Sequence, residues 1–221
     1  MSSGSASAHP IAPRIVLVAG GCGYIGSAFV RSVRSDPSMA GTTLRLFDNL
    51  SRGRLNELAD LPGSGPMEFS EGDVLDRSAL RAALQGVDTV VHLAAVVTTP
   101  LGFGEPALMN HVNHWGTESL LEVSLATGVR HLVFASSSAV YGPGGPHTEA
   151  HVLRPVGPYG QSKRSAEQAV MLARHRGLQT TILRFGSVFG WAPGIRFDGV
   201  VNRFGFLSAV RRPVTVFGSA R

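Results

Sequence analysis

Residues 14–26 read RIVLVAGGCGYIG, a β-branched apolar run that ends at Ala19 and passes straight into a glycine-rich turn. Two glycine spacings overlap there, Gly21-x-Gly23-x-x-Gly26 and Gly20-x-x-Gly23-x-x-Gly26, followed by an apolar helical pattern. Both serve the same physics. Glycine permits the tight turn and lets the backbone approach a pyrophosphate, while the helix N-terminus supplies unpaired N–H groups and a favourable dipole. Gly20, Gly23, Tyr24, Ile25 and Gly26 are therefore candidate cofactor-binding positions. A glycine triplet also occurs in ordinary strand-to-helix turns, so its surroundings decide the reading.

The next run, 43–48 (TLRLFD), ends in Asp48, 22 residues after Gly26. An acidic side chain at the end of the second strand is placed to accept hydrogen bonds from the adenosine ribose hydroxyls, and it would repel a 2′-phosphate. NAD is favoured over NADP, although Arg52 and Arg54 stand nearby. Further strands are expected at 14–19, 67–70, 88–93, 130–136 and 178–184, with helical stretches near 24–35, 76–85, 105–127 and 159–176. Strands alternating with longer helices predict an α/β fold, a Rossmann doubly wound parallel sheet. Residues 1–12 are small, polar and Pro-bounded and read as a flexible tail, and 13–190 as the dinucleotide-binding domain. After Trp191-Ala192-Pro193-Gly194, a helix at 198–212 and a strand at 213–217 are expected to begin a substrate lobe over 191–221, minimal or truncated.

Composition narrows the function classes. With 221 residues, 43% hydrophobic content, 27 Gly and 13 Pro, the chain suits a loop-rich enzyme with a sizeable core. Its one cysteine, Cys22, excludes an intramolecular disulfide framework and a Cys-based zinc site. The eight histidines show no metal-ligand spacing beyond pairs such as His111/His114, so no metal is expected. No apolar run reaches the roughly 18 residues that span a bilayer, and MSSGSASAHP is unlike a signal peptide. The expectation is a cytoplasmic protein without a membrane partner. A net charge of +5 invites a nucleic-acid reading, but the arginines are scattered and no aromatics interleave with them, so nucleic acid is not expected as a partner.

One detail is sharper. Of 20 basic residues, Lys163 alone is lysine, and it stands four residues after Tyr159, one of three tyrosines. That spacing on a helix puts both side chains on one face. An ammonium beside a phenol favours the phenolate and is expected to lower the tyrosine pKa, making Tyr159 a general base for an alcohol and a general acid for a ketone. A surface Tyr/Lys pair is the plain alternative. Upstream, strand 130–136 runs into Ser136-Ser137-Ser138, hydroxyls at the carboxyl end of a parallel strand, where open α/β sheets bind ligands.

Together these blocks make the chain resemble an extended short-chain dehydrogenase/reductase of the NAD-dependent epimerase/dehydratase family, similar to UDP-glucose 4-epimerases. The likeness runs over about residues 14–220. It rests on the glycine turn, Asp48-Asn49-Leu50, Gly72-Asp73-Val74, His92-Leu93-Ala94-Ala95, Asn113 with Gly116-Thr117, Ser136 to Gly142, Pro158 to Lys163, and Arg184 to Gly190. The resemblance implies that Asp73 and Val74 contact the adenine, that Leu93, Ala94 and Ala95 line the cofactor, and that Asn113 helps to order the site, with Asn49 and Asn113 counted among the cofactor-binding positions. Ser137 would hydrogen-bond the reacting oxygen, Tyr159 would exchange the proton, and Lys163 would hold the nicotinamide ribose. It also implies a nucleotide sugar or related small molecule as substrate, and a homodimer formed through the helices expected at 105–127 and 159–176.

The pattern departs from the family in three places. Ser138 and Ala139 follow Ser137 where dehydratases carry a carboxyl acid or base, which favours epimerisation or oxidoreduction at a carbinol over dehydration. Ser187 replaces an Asn that helps nucleotide-sugar enzymes hold their substrate. Family members also continue well past the VTVFG stretch, so an NAD-binding module without turnover is the alternative expectation.

Overall fold

The computed structural model describes residues 14–63, 65–97, 106–197 and 199–216. The expected tail at 1–12 and the end of the 213–217 segment lie outside these residues. Six parallel strands form one sheet in the order β3-β2-β1-β4-β5-β6. The strands are β1 (Ile15–Ala19), β2 (Thr43–Asp48), β3 (Met67–Glu71), β4 (Thr89–His92), β5 (His131–Ser137) and β6 (Gln179–Phe185). This is the Rossmann order, and the chain reverses direction across the sheet between β1 and β4, where ligands of such folds bind.

β1 is central because it is apolar on both faces. Leu17 and Ala19 pack into one core with α2 (Arg77–Ala83), α4 (Gly116–Thr127) and α5 (Gly157–His175). Val16 and Val18 face the other way, toward α1 (Tyr24–Ser35) and Leu44, Leu46 and Val30. A strand buried on both sides reads as a continuous hydrophobic run, as IVLVA does. Helix ends follow local chemistry. Asp76 caps α2 by accepting hydrogen bonds from the Ser78 and Ala79 amides, and α4 stops at Gly128, whose φ of 79° suits a residue without Cβ.

Three expected elements differ. The helix expected over 105–127 is α3 (Pro106–Asn110), a wide π turn at His111–Trp115, and then α4. Its apolar periodicity is interrupted by one extra residue, which sequence patterns do not register. The segment expected as a strand at 213–217 forms no strand in its described part, 213–216. Its β-branched residues have the propensity, but a strand needs a ladder partner, and among the described residues none pairs with it. The helix before it is shorter than expected, α6 (Val200–Ala209), and none of its residues is buried. Among the described residues no helix is long and apolar enough to cross a membrane.

Candidate active site

A crevice of about 700 Å³ opens at the carboxyl ends of the strands. It gathers the predicted residues Gly20, Gly23, Tyr24, Ile25, Gly26, Asp48, Asn49, Asp73, Val74, Leu93, Ala94, Ala95, Ser137, Tyr159 and Lys163. Register explains this. Ala19 lies beside both Phe47 and His92, so the three central strands end at one level and their loops share one mouth. A second recess of about 490 Å³, beside α1, is mostly apolar and holds no comparable group of polar side chains.

The glycine turn is packed against backbone. A Cβ on Gly26 would lie 2.2 Å from the Gly20 carbonyl oxygen, and one on Gly20, whose φ is +83°, would lie 2.6 Å from the Ala94 nitrogen. Gly23, the N-cap of α1, supplies no capping side chain, so the first turn of the helix presents its N–H groups to the crevice. The Asp48 carboxylate is buried and accepts hydrogen bonds from the Cys22 amide at 3.0 Å and the Leu50 amide at 2.9 Å. It thereby fixes the glycine turn as well as facing the crevice. Asn49 donates to Asp73 at 2.8 Å, and Asp73 accepts from the Leu75 amide at 2.9 Å, tying the loops after β2 and β3 together. This cradle fits a dinucleotide. Its glycines leave room for a pyrophosphate, and Asp48 stands at the strand end where a ribose would lie.

Side-chain alternation along β5 sorts the serine cluster. Ser136 is buried and donates to the Glu167 carboxylate at 2.5 Å, whereas Ser137 lines the crevice with Tyr159 and accepts from the Ala139 amide at 3.2 Å. Tyr159 and Lys163 share one face of α5 as the spacing predicts. The electrostatic expectation for Tyr159 fails in direction. Burial pushes its phenol above the ordinary tyrosine value, against the opposing pull of the Ser137 hydroxyl and the Arg196 charge. Lys163 has turned to donate to the Ala135 carbonyl at 2.9 Å, and burial lowers its own pKa to about 8 while Glu167 opposes that shift. Desolvation, which residue spacing does not reveal, outweighs the neighbouring groups at Tyr159.

Asn113 does not line the crevice, and the structure shows what it orders. Its amide accepts from the Val96 N–H at 2.7 Å, donates to the Val96 carbonyl at 2.9 Å, and donates to Ser162 at 3.1 Å; Ser162 in turn donates to the Tyr159 carbonyl at 2.8 Å. The π turn that carries Asn113 thus couples the loop after β4 to the first turn of α5. Asn113→Ala is expected to strand both Val96 backbone groups and lower unfolding free energy by about 3 kcal/mol, read from urea unfolding.

Behind the loop, His92 is buried against Phe134 and its pKa is depressed to about 3 by burial and by the Lys163 charge. Thr117 spends its hydrogen on the Asn113 carbonyl, so His92 Nε2 donates to Thr117 Oγ1 at 2.9 Å and Nδ1 carries the lone pair. Below the ordinary histidine value near pH 6.5 the unfolded chain takes up a proton that the folded one refuses. Stability contributed by this residue is therefore unaffected above pH 6.5 and is lost as pH falls toward 3, by up to about 1.4 kcal/mol per pH unit in denaturant titrations.

At the mouth, Asn202 and Gly53 were not anticipated, and Tyr24 has a partner beyond its expected role. The Tyr24 hydroxyl donates to the Gly190 carbonyl at 2.6 Å, and Asn202 donates to Tyr24 and to the Arg196 carbonyl, each at 3.0 Å, while accepting from the Gly190 amide at 2.9 Å. Gly53 packs on Cys22, where an added Cβ would meet the carbonyl oxygen at 2.1 Å. Asn202 lies far along the chain from Tyr24 and carries no sequence signal. Among the described residues no group of three or more His, Cys, Asp or Glu is placed to hold a metal.

The sequence pattern of the NAD dependent epimerase/dehydratase family matches residues 16–220. The chain belongs to this family. A UDP-glucose 4-epimerase from Rhizobium meliloti is 32% identical over 194 residues, covering 86% of this chain and 55% of that protein. A dTDP-glucose 4,6-dehydratase from Streptomyces niveus is also 32% identical, over 182 residues, covering 79% of this chain and 54% of that protein. The solved structure of MoeE5 in complex with UDP-glucuronic acid and NAD superposes with a TM-score of 0.77 at 31% identity, covering 92% of this chain and 64% of that one. The chain therefore spans about half the length of these curated relatives of the epimerase/dehydratase family. Equal identity to an epimerase and a dehydratase leaves the choice of reaction to the site residues.

Proposed function

We propose that the protein is an NAD-dependent epimerase or oxidoreductase acting at a carbinol carbon of a nucleotide sugar or related compound, with Tyr159 as its acid and base. The observation that carries this reading is the meeting of Ser137, Tyr159 and Lys163 in the glycine-turn crevice. NAD, when bound, supplies the acceptor and donor of the hydride. Gly20 to Gly26 would hold the pyrophosphate and Asp48 the adenosine ribose, with Asp73 and Val74 near the adenine. Tyr159 takes the carbinol proton in oxidation and returns it in reduction, and Ser137 bonds the same substrate oxygen. The raised phenol pKa suits the acid role, and the hydroxyl of Ser137 and the charge of Arg196 assist the base role. Ser138 and Ala139 supply no carboxyl group beside Ser137, which supports simple carbinol chemistry over elimination of water.

The test is to measure bound NAD and then follow UDP-glucose and UDP-glucuronic acid by NMR for epimer or ketone formation. Turnover of either supports the reading; NAD binding without turnover across a nucleotide-sugar panel would overturn it in favour of a binding module. Lys163 adds a pH signature. Its ammonium is present below about pH 8 and lost above it, so NAD affinity is expected to fall through a one-proton step near that pH in calorimetry at pH 6.5–9.5.

We also propose a homodimer through α4 and α5. Trp115, at the entry to α4, and Met171 and Leu172 on α5 are exposed at 50%, 44% and 65%, which supports it. Light scattering showing a monomer at micromolar concentration would sink this. The division at residue 190 and a cytoplasmic setting belong to the same proposal, the former supported by α6, none of whose residues is buried.

A further inference from the structure

Glu167 stands one turn beyond Lys163 on α5, and both side chains are almost completely buried. They grip consecutive residues of β5. Lys163 donates to the Ala135 carbonyl at 2.9 Å, and Glu167 accepts from the Ser136 hydroxyl at 2.5 Å, leaving Ser137 as the next residue in the crevice. From β6, Arg184 donates to both carboxylate oxygens of Glu167, Nε to Oε1 at 3.0 Å and Nη2 to Oε2 at 2.8 Å. Its remaining terminal nitrogen donates to the Tyr141 hydroxyl at 3.0 Å and the Glu149 carbonyl at 3.1 Å.

A carboxylate at this depth is costly unless its oxygens are satisfied, and here three hydrogen bonds satisfy them. Packing alone would be served as well by an apolar residue. Both arms of the network instead end beside the chemistry, one at Ser136 next to Ser137 and the other at Tyr141, just past the Ser138–Val140 turn. We propose that Glu167 is a positioning residue for the reaction proposed above, locking α5 to the end of β5 so that Ser137, Tyr159 and Lys163 stay in one arrangement with Lys163 facing a fixed negative charge. This rests on that functional reading for its consequence, and on the hydrogen bonds for its geometry.

The groups facing Lys163 can be named from each element. Glu167 and Tyr159 lie on α5, His92 approaches from β4, and the Phe134 ring on β5 has its centroid 4.9 Å from Nζ. Burial draws the ammonium toward neutrality, and Glu167 is the acidic residue that opposes it. Arg184, bound to the far side of the carboxylate, has its pKa raised chiefly by the hydrogen bonds to Glu167 and stays cationic.

The test uses Lys163 as its own reporter. With 15N-lysine labelling the side-chain region holds one Nζ signal, because the sequence has one lysine. Glu167→Gln keeps the shape and can still accept from Ser136, and is expected to lower the Lys163 titration midpoint by about one pH unit. Glu167→Asp keeps the charge but shortens the reach, and is expected to leave the midpoint close to that of the parent while kcat falls about tenfold and KM holds. A merely structural residue would make Asp the more damaging change for the titration. A Gln variant titrating like the parent overturns the proposal, and so does an Asp variant shifted as far as Gln. Should Gln be too unstable to titrate, Asp decides alone: a parent-like midpoint with reduced kcat supports the role, and a shifted midpoint or parent kcat rejects it. The titration needs neither NAD nor substrate, so it stands or falls separately from the proposed reaction.

Discussion

Tyr159→Phe is expected to lower kcat by about 1,000-fold while leaving NAD affinity within about threefold of the parent. The substitution removes one oxygen and keeps the ring that packs at the start of α5. That oxygen shares the crevice with Ser137, whose hydroxyl favours the phenolate, and is the group proposed to take and return the proton. Proton transfer by a positioned side chain contributes about 100- to 10,000-fold, which sets the scale of the loss. Folding should change little, since the lost hydroxyl is offset by burying a less polar ring. Single-turnover measurement of the NADH absorbance, with calorimetry for NAD, separates the two effects. Parent-like turnover would remove Tyr159 from the mechanism, and loss of NAD binding would mean that its ring supports the cofactor cradle instead.

The second large effect is Gly26→Ala. The added methyl would stand 2.2 Å from the Gly20 carbonyl oxygen and 2.8 Å from the backbone of Gly21, and neither contact is with a flexible side chain. Gly20 cannot retreat, because its amide donates to the Phe47 carbonyl at 2.8 Å and Ala94 lies against it from the other side. The turn must open, taking the helix N-terminus with it. We expect a loss of about 3 kcal/mol in stability, as for overpacked cores, and NAD binding weakened beyond measurement. Gly23→Ala makes the informative contrast. Its Cβ would lie 3.4 Å from Gly20 oxygen, an ordinary contact, so the protein should fold normally and still bind NAD poorly if the pyrophosphate approaches there. Denaturant unfolding and calorimetry on both variants distinguish a packing glycine from a ligand-facing one.

That contrast also marks how far the chain could be read before its structure. α1 at Tyr24–Ser35 and β2 at Thr43–Asp48 follow the written limits because strong punctuation frames them, a glycine turn before one and Asp48 after the other. The remaining strands shift by a residue or two at their ends, where pairing rather than propensity sets the limit. Asn113 was legible as part of a familiar block, but its bond to Val96 depends on a turn that side-chain periodicity does not encode. The direction of the Tyr159 shift was misjudged because burial at the base of a crevice is a tertiary property. Glu167 could have been found, as it falls at the next i+4 position after Tyr159 and Lys163 on the same helix face. Asn202 could not, since its partners are Tyr24, Gly190 and Arg196, and a hydrogen bond across 178 positions leaves no pattern.

The wide turn at His111–Trp115 has a consequence for how the chain tolerates insertions and deletions. Each residue of a regular helix advances it by about 100°. Deleting one residue within the wide turn would restore ordinary winding with α4 close to its present phase, whereas deleting one from α3 while the wide turn persists would rotate α4 by that amount relative to α3. Leu120, Val123 and Ser124, now buried, would swing out of the interior, and Glu118 and Glu122, now paired with His114 and Arg77, would turn toward it. The wide turn absorbs its extra residue locally, so this segment should tolerate loss of one residue at His111–Trp115 and not elsewhere between Pro106 and Thr127.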